Sequence, residues 1–488
     1  MKLERTKNAG RNVVFGIIQK IYDMLAPFVI RTVMIYVMGV QYLGLNSLFA
    51  SILQVLNLAE LGVGSAMVYS MYKPIAEDDD EKVCMLLNLY RKYYRIIGSV
   101  ILTLGLALTP FIEKLVKADT VPDDINLYVL YIMNLLSVVI TYWAFAYKNS
   151  ILYACQRTDM ISKVSMIVST VRYTIQIVVI CAFKDFYLYT FVIIVSNFIN
   201  NILAARAVNK AYPQYKPRGK ISKEENRIIN HRVKDLLTAK IGGIVYDSAD
   251  TIVISAFLGL GVLAIYQNYF YILTSVTGFL MVAFSSCLAG FGNNIITEAK
   301  EKSFIDAKKF TFIICWLGGF CATCLLCLYQ PFMELWVGKE LMLDGFAVLC
   351  FVVYFFVRII NTLLNLFKDA SGMWHEDKWR PLAASLVNLT LNLILVNLIG
   401  IYGVLISTVV AILFVGIPWL LKNLFSVVFE RKYLKEYVGQ LAMFTLVITI
   451  VATITYFICE SINLPLIYSL ILRAIICCII PNIAYFLI

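Results

Sequence analysis

Charged residues are scarce in this sequence. Asp, Glu, Lys and Arg make up 15% of the 488 residues, hydrophobic residues make up 60%, and the mean hydropathy is +0.79. A soluble domain is about one quarter charged and about half apolar. Together with the apolar runs of 18 or more residues that recur along the chain, this composition excludes a soluble globular protein.

Several chemical signatures are also missing. The sequence has no Walker A phosphate loop, so ATP hydrolysis by this chain is not expected. No cysteine-dense outer segment indicates a disulfide scaffold, and the 12 Cys are interpreted as reduced, small apolar residues. Cys321, Cys324 and Cys327 are spaced by three, but no His or carboxylate accompanies them, so no metal site is predicted. No outer loop carries paired carboxylates or a nucleophile, and we therefore expect no enzyme.

Fourteen apolar segments are predicted to cross a bilayer. They are expected to be helices, because hydrocarbon leaves no backbone group unpaired and the runs are continuous rather than alternating. The predicted spans are 12–39, 45–71, 95–117, 126–147, 161–183, 186–205, 239–258, 262–289, 310–332, 343–366, 381–399, 402–421, 437–458 and 466–487. The first is not expected to be a cleavable signal peptide, because it is long, charged and without a small-residue cleavage site.

The distribution of basic residues predicts the orientation. With the N-terminus inside, 33 of the 42 Lys and Arg fall in cytoplasmic segments and only four fall in outer loops. This positive-inside bias places both termini in the cytoplasm. The formal net charge of +11 therefore reports topology rather than nucleic-acid binding. The basic segment 206–238 is expected to be a solvated linker near anionic membrane lipids.

Short matches between the two halves predict an internal repeat. Thr109–Asp119 resembles Gln330–Glu340 at an offset of 221, and further matches lie at offsets of 220 and 224. Because six helices separate the copies, two parallel six-helix lobes are expected, with a substrate pathway between them. The predicted organisation is an N-lobe, a cytoplasmic linker, a C-lobe and two additional C-terminal helices, at 1–205, 206–238, 239–422 and 423–488.

Polar side chains inside the predicted spans indicate where function lies. A charge at mid-bilayer costs about 2.5–3.5 kcal/mol, so such residues usually face water or a partner. Guanidinium groups suit phosphate or pyrophosphate oxygens, and amides suit a glycan. The candidate substrate contacts are Lys20, Arg31, Arg172, Lys240, Arg358, Asn361, Asn365 and Asn388. The alternative is that these cations are structural ion pairs or helix-end anchors.

Four acids in the spans are candidates for coupling or charge balance. Asp23 shares a helical face with Lys20 and Arg31, and Asp250 shares a stripe with Asp247. Glu60 lies in the second span. These carboxylates could bind H+ or Na+, or could only neutralise neighbouring bases. No other cofactor is expected.

Two regions resemble a known transporter family. Tyr42-Leu43-Gly44-Leu45, Ser51-Ile52-Leu53-Gln54 and Glu60-Leu61-Gly62-Val63-Gly64 are similar to the start of the polysaccharide-transporter (Wzx-type) branch of the multidrug/oligosaccharidyl-lipid/polysaccharide (MOP) exporter superfamily. The stretch from Gly372 to Pro381, followed by Asn388 and Asn392, resembles the tenth-to-eleventh span region of that family. The resemblance covers nearly the whole chain.

The resemblance implies a flippase of the bacterial cytoplasmic membrane. Its substrate would be an undecaprenyl-pyrophosphate-linked oligosaccharide for O-antigen, capsule or exopolysaccharide assembly, moved by alternating access of two lobes. A polysaccharide polymerase and a chain-length regulator are implied partners. A lipid II flippase, in which two extra helices accommodate the lipid tail, is the nearest alternative. A membrane-embedded polymerase or ligase is a more distant one.

Overall fold

A computed structural model of the chain describes residues 5–60, 62–117, 120–373 and 375–487. Within these ranges it gives no side-chain description for 5–10, 13, 59, 235, 236, 238–241, 245, 247, 282, 283 and 285–297. The predicted site residues Lys240 and Asp247 therefore lie outside the described side chains.

The described residues form seventeen α-helices and no strand. They are α1 (Arg5–Val37), α2 (Val40–Leu56), α3 (Val63–Ala76), α4 (Asp80–Leu108), α5 (Leu127–Trp143), α6 (Asn149–Ala154), α7 (Thr158–Ala182), α8 (Phe186–Ala211), α9 (Lys223–Phe257), α10 (Leu260–Thr297), α11 (Lys300–Val337), α12 (Gly345–Ala370), α13 (Arg380–Ile399), α14 (Ile401–Val410), α15 (Ile417–Val427), α16 (Leu434–Glu460) and α17 (Leu466–Phe486). The predicted all-α membrane fold is confirmed.

Each predicted span coincides with a helix or with consecutive helical segments. By length and composition, nine described helices can cross a membrane, or ten if the bent pair Leu127–Trp143 and Ala146–Ala154 is one span. The chain is therefore a multi-pass membrane protein. The first, second, seventh and eighth predicted spans are outside this set. The first and seventh correspond to α1 and α9, which carry several charges, and the second is interrupted by a break in the helix.

The second predicted span, 45–71, is not one helix. Helix α2 ends at Leu56, a 3-10 turn covers Asn57–Glu60, and α3 starts after Gly62. Gly62 has a φ of 94°, a left-handed conformation that residues with a Cβ atom seldom adopt. The break places the Glu60 carboxylate beside neighbouring helices instead of within a regular helical stripe. Another irregularity is the π-helical turn Ala411–Gly416 between α14 and α15.

Side-chain caps set several helix starts. Asn126, Asp185 and Asp344 each accept a hydrogen bond from a backbone N–H in the first turn of α5, α8 and α12. Ser222 caps α9 in the same way through Glu225 N–H, the Ser-x-x-Glu arrangement of a capping box. The predicted linker 206–238 is accordingly helical at both ends, because α8 continues to Ala211 and α9 begins at Lys223.

The chain divides into two compact units, residues 1–261 and 262–488. In the first, α1 packs against α7, α7 and α5 pack against α8, and α2 and α3 pack against α9. In the second, α11 packs against α12, α16 and α17, and α13 packs against α14. Helix α12 forms much of the second unit's core, since 72% of its apolar window is buried. The proposed six-helix lobes and their boundaries stay a prediction.

Gly44 gives a test of packing in the first unit. A Cβ atom added at Gly44 would overlap the backbone carbonyl group of Leu260, which cannot move without disturbing α10. A Cβ atom at Gly261, the residue after Leu260, would meet nothing within 4 Å. We expect Gly44→Ala to destabilise the protein by about 1–3 kcal/mol, as overpacking does. Gly261→Ala should leave stability unchanged or raise it by about 1 kcal/mol through helix propensity.

Thermal unfolding of both variants in detergent, followed by tryptophan fluorescence, checks this expectation. Equal melting temperatures for Gly44→Ala and Gly261→Ala would show that α2 does not approach Leu260 as closely as described.

Candidate functional site

The α1–α7 polar face consists of Lys20, Asp23, Arg31, Arg172 and Tyr173, all in the first unit. Helices α1 and α7 run parallel, because Arg11 contacts Asp159 and Tyr22 contacts Thr170 at the same sequence offset of 148. This register places Arg172 level with residue 24 of α1. Arg31 lies about 10 Å further along at 1.5 Å per residue.

Charges on this face influence one another. Arg172 and Lys20 both lie within electrostatic range of the Asp23 carboxylate. The Arg172 guanidinium also lies 4.5 Å from the ring centroid of Tyr173, which is a cation–π contact. Three cations and one carboxylate leave the face with an excess of positive charge.

Part of the α1–α7 polar face is accessible. Lys20 and Asp23 are exposed, and Arg31 and Arg172 are half-buried. Arg31 and Arg172 both lie within electrostatic range of the buried Tyr189 on α8. If the predicted first span lies in the bilayer, the exposed charges of Lys20 and Asp23 have to meet water or a polar ligand, because lipid tails cannot solvate them. Four predicted site residues are thus brought together in the first unit.

Glu60 lies in a phenolic cage formed by Tyr94, Tyr142 and Tyr90. The hydroxyl of Tyr94 donates to Glu60 Oε1 at 2.7 Å, and that of Tyr142 donates to Oε2 at 2.8 Å. Tyr90 donates to the Tyr94 hydroxyl at 2.9 Å. No ion pair links Glu60 to a described Lys or Arg side chain, so phenol hydroxyl groups satisfy this carboxylate.

A second group of predicted residues lies on one face of α12 in the second unit. Arg358, Asn361 and Asn365 are spaced three and four residues apart. The Arg358 guanidinium donates to the hydroxyl of Tyr354, one turn earlier. Asn365 accepts from Arg380 at 2.7 Å. The amide oxygen of Asn361 is buried and has no hydrogen-bond partner among the described residues, so it is available to a ligand or water.

Two predicted residues are buried. Asn388 is fully buried and donates to Thr408 at 2.9 Å, while its own oxygen faces the amide of Asn392 at 3.4 Å. Its observed partners are therefore protein groups of α13 and α14. Asp250, on α9, is also buried, with 8% of its surface exposed.

Sequence reasoning missed two buried carboxylate centres. The Asp159 carboxylate is fully buried. It accepts hydrogen bonds from Arg11 at 2.7 Å and Arg157 at 2.8 Å, and the Lys163 ammonium group lies 3.7 Å away. The hydrogen bond from Arg157 to this carboxylate raises the pKa of Arg157. The clue in the sequence was Asp159 flanked by Arg157 and Lys163, but the contact from Arg11 spans 148 residues.

The second centre lies at the start of α13. Asp377 accepts from Arg380 at 2.7 Å, and both side chains are almost fully buried. Lys368, at the end of α12, lies 3.8 Å away, and Asn423 on α15 donates across 3.4 Å. These partners join three helices of the second unit. Both centres are closed ion networks whose groups are occupied with one another, which is typical of structural roles.

Comparison with known proteins shows the fold. No family model and no curated protein matches the sequence. Among solved structures, the lipid II flippase MurJ in an inward closed conformation has a TM-score of 0.67 and 16% identity, with 97% of this chain and 98% of that chain covered. A MOP superfamily transporter from Pyrococcus furiosus has a TM-score of 0.56 and 13% identity, with coverages of 88% and 96%. The eukaryotic MATE transporter AtDTX14 has a TM-score of 0.57 and 13% identity, with coverages of 89% and 98%. The chain thus has the fold of MOP superfamily transporters.

Removing Glu60 should expose the role of the phenolic cage. Glu60→Ala leaves the hydroxyl of Tyr94 without its acceptor and that of Tyr142 with only the amide oxygen of Asn57 at 3.2 Å, and an unsatisfied buried hydroxyl costs about 1–3 kcal/mol. Glu60→Gln keeps an oxygen for one of them and should cost less. The melting temperature in detergent should fall in the order wild type, Glu60→Gln, Glu60→Ala. Glu224→Ala, at an exposed position, serves as control, and a Glu60→Ala protein as stable as that control would contradict the cage.

Proposed function

We propose that this protein is a flippase for an undecaprenyl-pyrophosphate-linked oligosaccharide. The observation that carries the proposal is the α1–α7 polar face, where Arg31, Arg172 and Lys20 lie along one accessible stripe of a membrane-embedded unit. The fold of the MOP transporters, which include a lipid flippase, supports the same conclusion.

Electrostatics favour a diphosphate head group. Each guanidinium can donate two parallel hydrogen bonds to phosphate oxygens, and its charge remains at any physiological pH. Because Arg31 and Arg172 are offset by about 10 Å along the helix axes, an extended head group can engage them in succession. The apolar prenyl chain stays among the lipid tails, so its translocation carries no free-energy cost of desolvation.

Glycan contacts and coupling complete the proposal. The buried amide oxygen of Asn361 has no described partner and would accept a hydrogen bond from a sugar hydroxyl, whereas the amide of Asn365 is already bonded to Arg380 and to the backbone oxygen of Asn361. Asp23, Glu60, Asp247 and Asp250 would balance charge or bind H+ or Na+. Among them, Glu60 is held by tyrosine hydroxyls and forms no salt bridge with a described Lys or Arg side chain.

The cellular setting follows from this activity. The protein would lie in the bacterial cytoplasmic membrane with both termini inside and supply repeat units for O-antigen, capsule or exopolysaccharide. A polysaccharide polymerase and a chain-length regulator would act on the units that it delivers.

Lipid II, the peptidoglycan precursor, is a second candidate substrate. The lipid II flippase MurJ aligns with 97% of this chain, whereas MATE transporters cover less of it, for example 86% or 89%. A multidrug exporter of cationic compounds fits less well, because the α1–α7 polar face is itself cationic. Faster translocation of lipid II than of a lipid-linked oligosaccharide in the same proteoliposomes would favour this alternative.

A membrane-embedded polymerase or ligase predicts a different phenotype. Deleting such an enzyme changes glycan chain length or attachment, whereas deleting a flippase leaves single lipid-linked units on the inner leaflet. Leaflet-specific labelling of these units in a deletion strain separates the two classes.

Replacing the arginines tests the proposed head-group site. We expect Arg31→Ala and Arg172→Ala each to slow translocation of a fluorescent undecaprenyl-pyrophosphate oligosaccharide about tenfold or more, because a charge-assisted phosphate contact is lost. Lysine at either position should restore part of the rate, since it keeps the charge but not the fork.

Arg206→Ala, at an exposed position on α8, is the matched control and should move substrate at the wild-type rate. Equal rates for Arg31→Ala, Arg172→Ala and wild type, at equal incorporation into the liposomes, would refute the assignment.

A further inference from the structure

Three thiols from distant parts of the sequence meet inside the second unit. Cys327 on α11, Cys459 on α16 and Cys477 on α17 are at most 1% exposed, and all three are free thiols. Their Sγ atoms all lie within 4.8 Å of one another. A fourth thiol, Cys324, lies one turn before Cys327 and packs against the group. We refer to Cys327, Cys459 and Cys477 as the thiol cluster.

The surroundings of the thiol cluster are apolar except at one point. Leu328, Tyr456 and Ile476 pack around it. On α17, Arg473 lies one turn before Cys477, within electrostatic range of Cys459 and Cys477. The Arg473 guanidinium is paired with Glu460 at 2.9 Å. A positive charge therefore adjoins a pocket whose potential ligands are all sulfur.

This geometry suits a soft metal ion. With a metal–sulfur distance of about 2.3 Å, three thiolates around one ion lie about 3.8–4.0 Å apart. Small side-chain rotations of sulfurs already within 4.8 Å would reach that spacing. Thiolate ligands select Zn2+ or Cu+ over Mg2+ or Ca2+, which prefer oxygen. Cys324 is not among the sulfurs within 4.8 Å of one another, but it packs against them and is a candidate fourth ligand for the tetrahedral set of a structural zinc site.

The charges of the thiolates also favour a bound cation. Thiolates in an apolar interior are costly unless a cation compensates them. Three thiolates leave one net negative charge with Zn2+ and two with Cu+, and the guanidinium of the Arg473–Glu460 pair lies within electrostatic range of Cys459 and Cys477. Each thiol that binds releases its proton, so binding is expected to weaken at low pH.

We propose that the thiol cluster binds one soft d10 cation, Zn2+ or Cu+, and thereby fastens the two C-terminal helices α16 and α17 to α11. The Cys321-x-x-Cys324-x-x-Cys327 pattern alone predicted no metal, because no further ligand adjoined it in sequence. The structure adds two ligands that are distant in sequence, Cys459 and Cys477. The proposal does not depend on the substrate that the protein transports.

Metal content of the full-length protein tests this site. Protein purified in detergent under reducing conditions, then loaded with Zn2+ or with Cu+ and freed of excess metal, should retain about one ion per chain of the preferred metal. Cys327→Ser and Cys477→Ser should each retain about tenfold less. Cys315→Ser removes a buried thiol of the same helix outside the cluster and should bind like wild type.

Two further readouts keep the result interpretable if a serine variant folds poorly. Co2+ loading of wild type should give thiolate-to-cobalt charge-transfer absorption, and Cys315→Ser should retain it. The bound metal should raise the melting temperature of wild type by several degrees, and a chelator should reverse the rise.

Three outcomes overturn the proposal. They are failure of monodisperse wild type to retain either metal, retention by Cys477→Ser equal to that of Cys315→Ser, and a disulfide among the cluster cysteines in protein alkylated during lysis.

Discussion

The interior of a bilayer offers no water to a backbone amide or to a charged side chain. This constraint explains why the described chain is helical and why each of its charges needs either a partner or an aqueous path. The polar residues of this protein show three arrangements. Asp159 and Asp377, just before the predicted spans 161–183 and 381–399, are buried in closed networks of cations. Glu60 is held by tyrosine hydroxyls, and Lys20 and Asp23 are accessible on α1.

Burial and partners separate structural from functional roles. A buried carboxylate that meets several cations, such as Asp159, has little capacity left for a substrate, and losing it would strand the charges around it. A half-buried guanidinium beside an exposed carboxylate, such as Arg172 beside Asp23, can exchange protein contacts for ligand contacts at a lower free-energy cost. The proposal of a pyrophosphate site rests on this difference and not on the total charge of the chain.

The sequence allowed much of the fold to be predicted, because the hydrocarbon thickness dictates the length of each apolar run. Every predicted span coincides with helical structure, and the positions of Lys20, Asp23 and Arg31 on one face followed from helical periodicity alone. The break at Gly62 was not predicted, because an apolar run does not show where the backbone turns left-handed.

Long-range contacts were beyond sequence reasoning as well. Arg11 meets Asp159 across 148 residues, and Cys477 reaches Cys327 from a different helix. Hydropathy and local spacing carry no information about which helix faces pack together. For the same reason the burial of Asn388, a candidate substrate contact whose amide donates to Thr408, could not be predicted.

The central claim is that cations on the α1–α7 polar face select a lipid diphosphate for translocation. Its most direct test is the rate at which wild-type proteoliposomes flip one fluorescent oligosaccharide carried either on undecaprenyl pyrophosphate or on a neutral lipid of equal chain length. The account predicts translocation of the diphosphate form at least about tenfold faster than that of the neutral form. Equal rates for both carriers, or no protein-dependent movement of the diphosphate form, would contradict it.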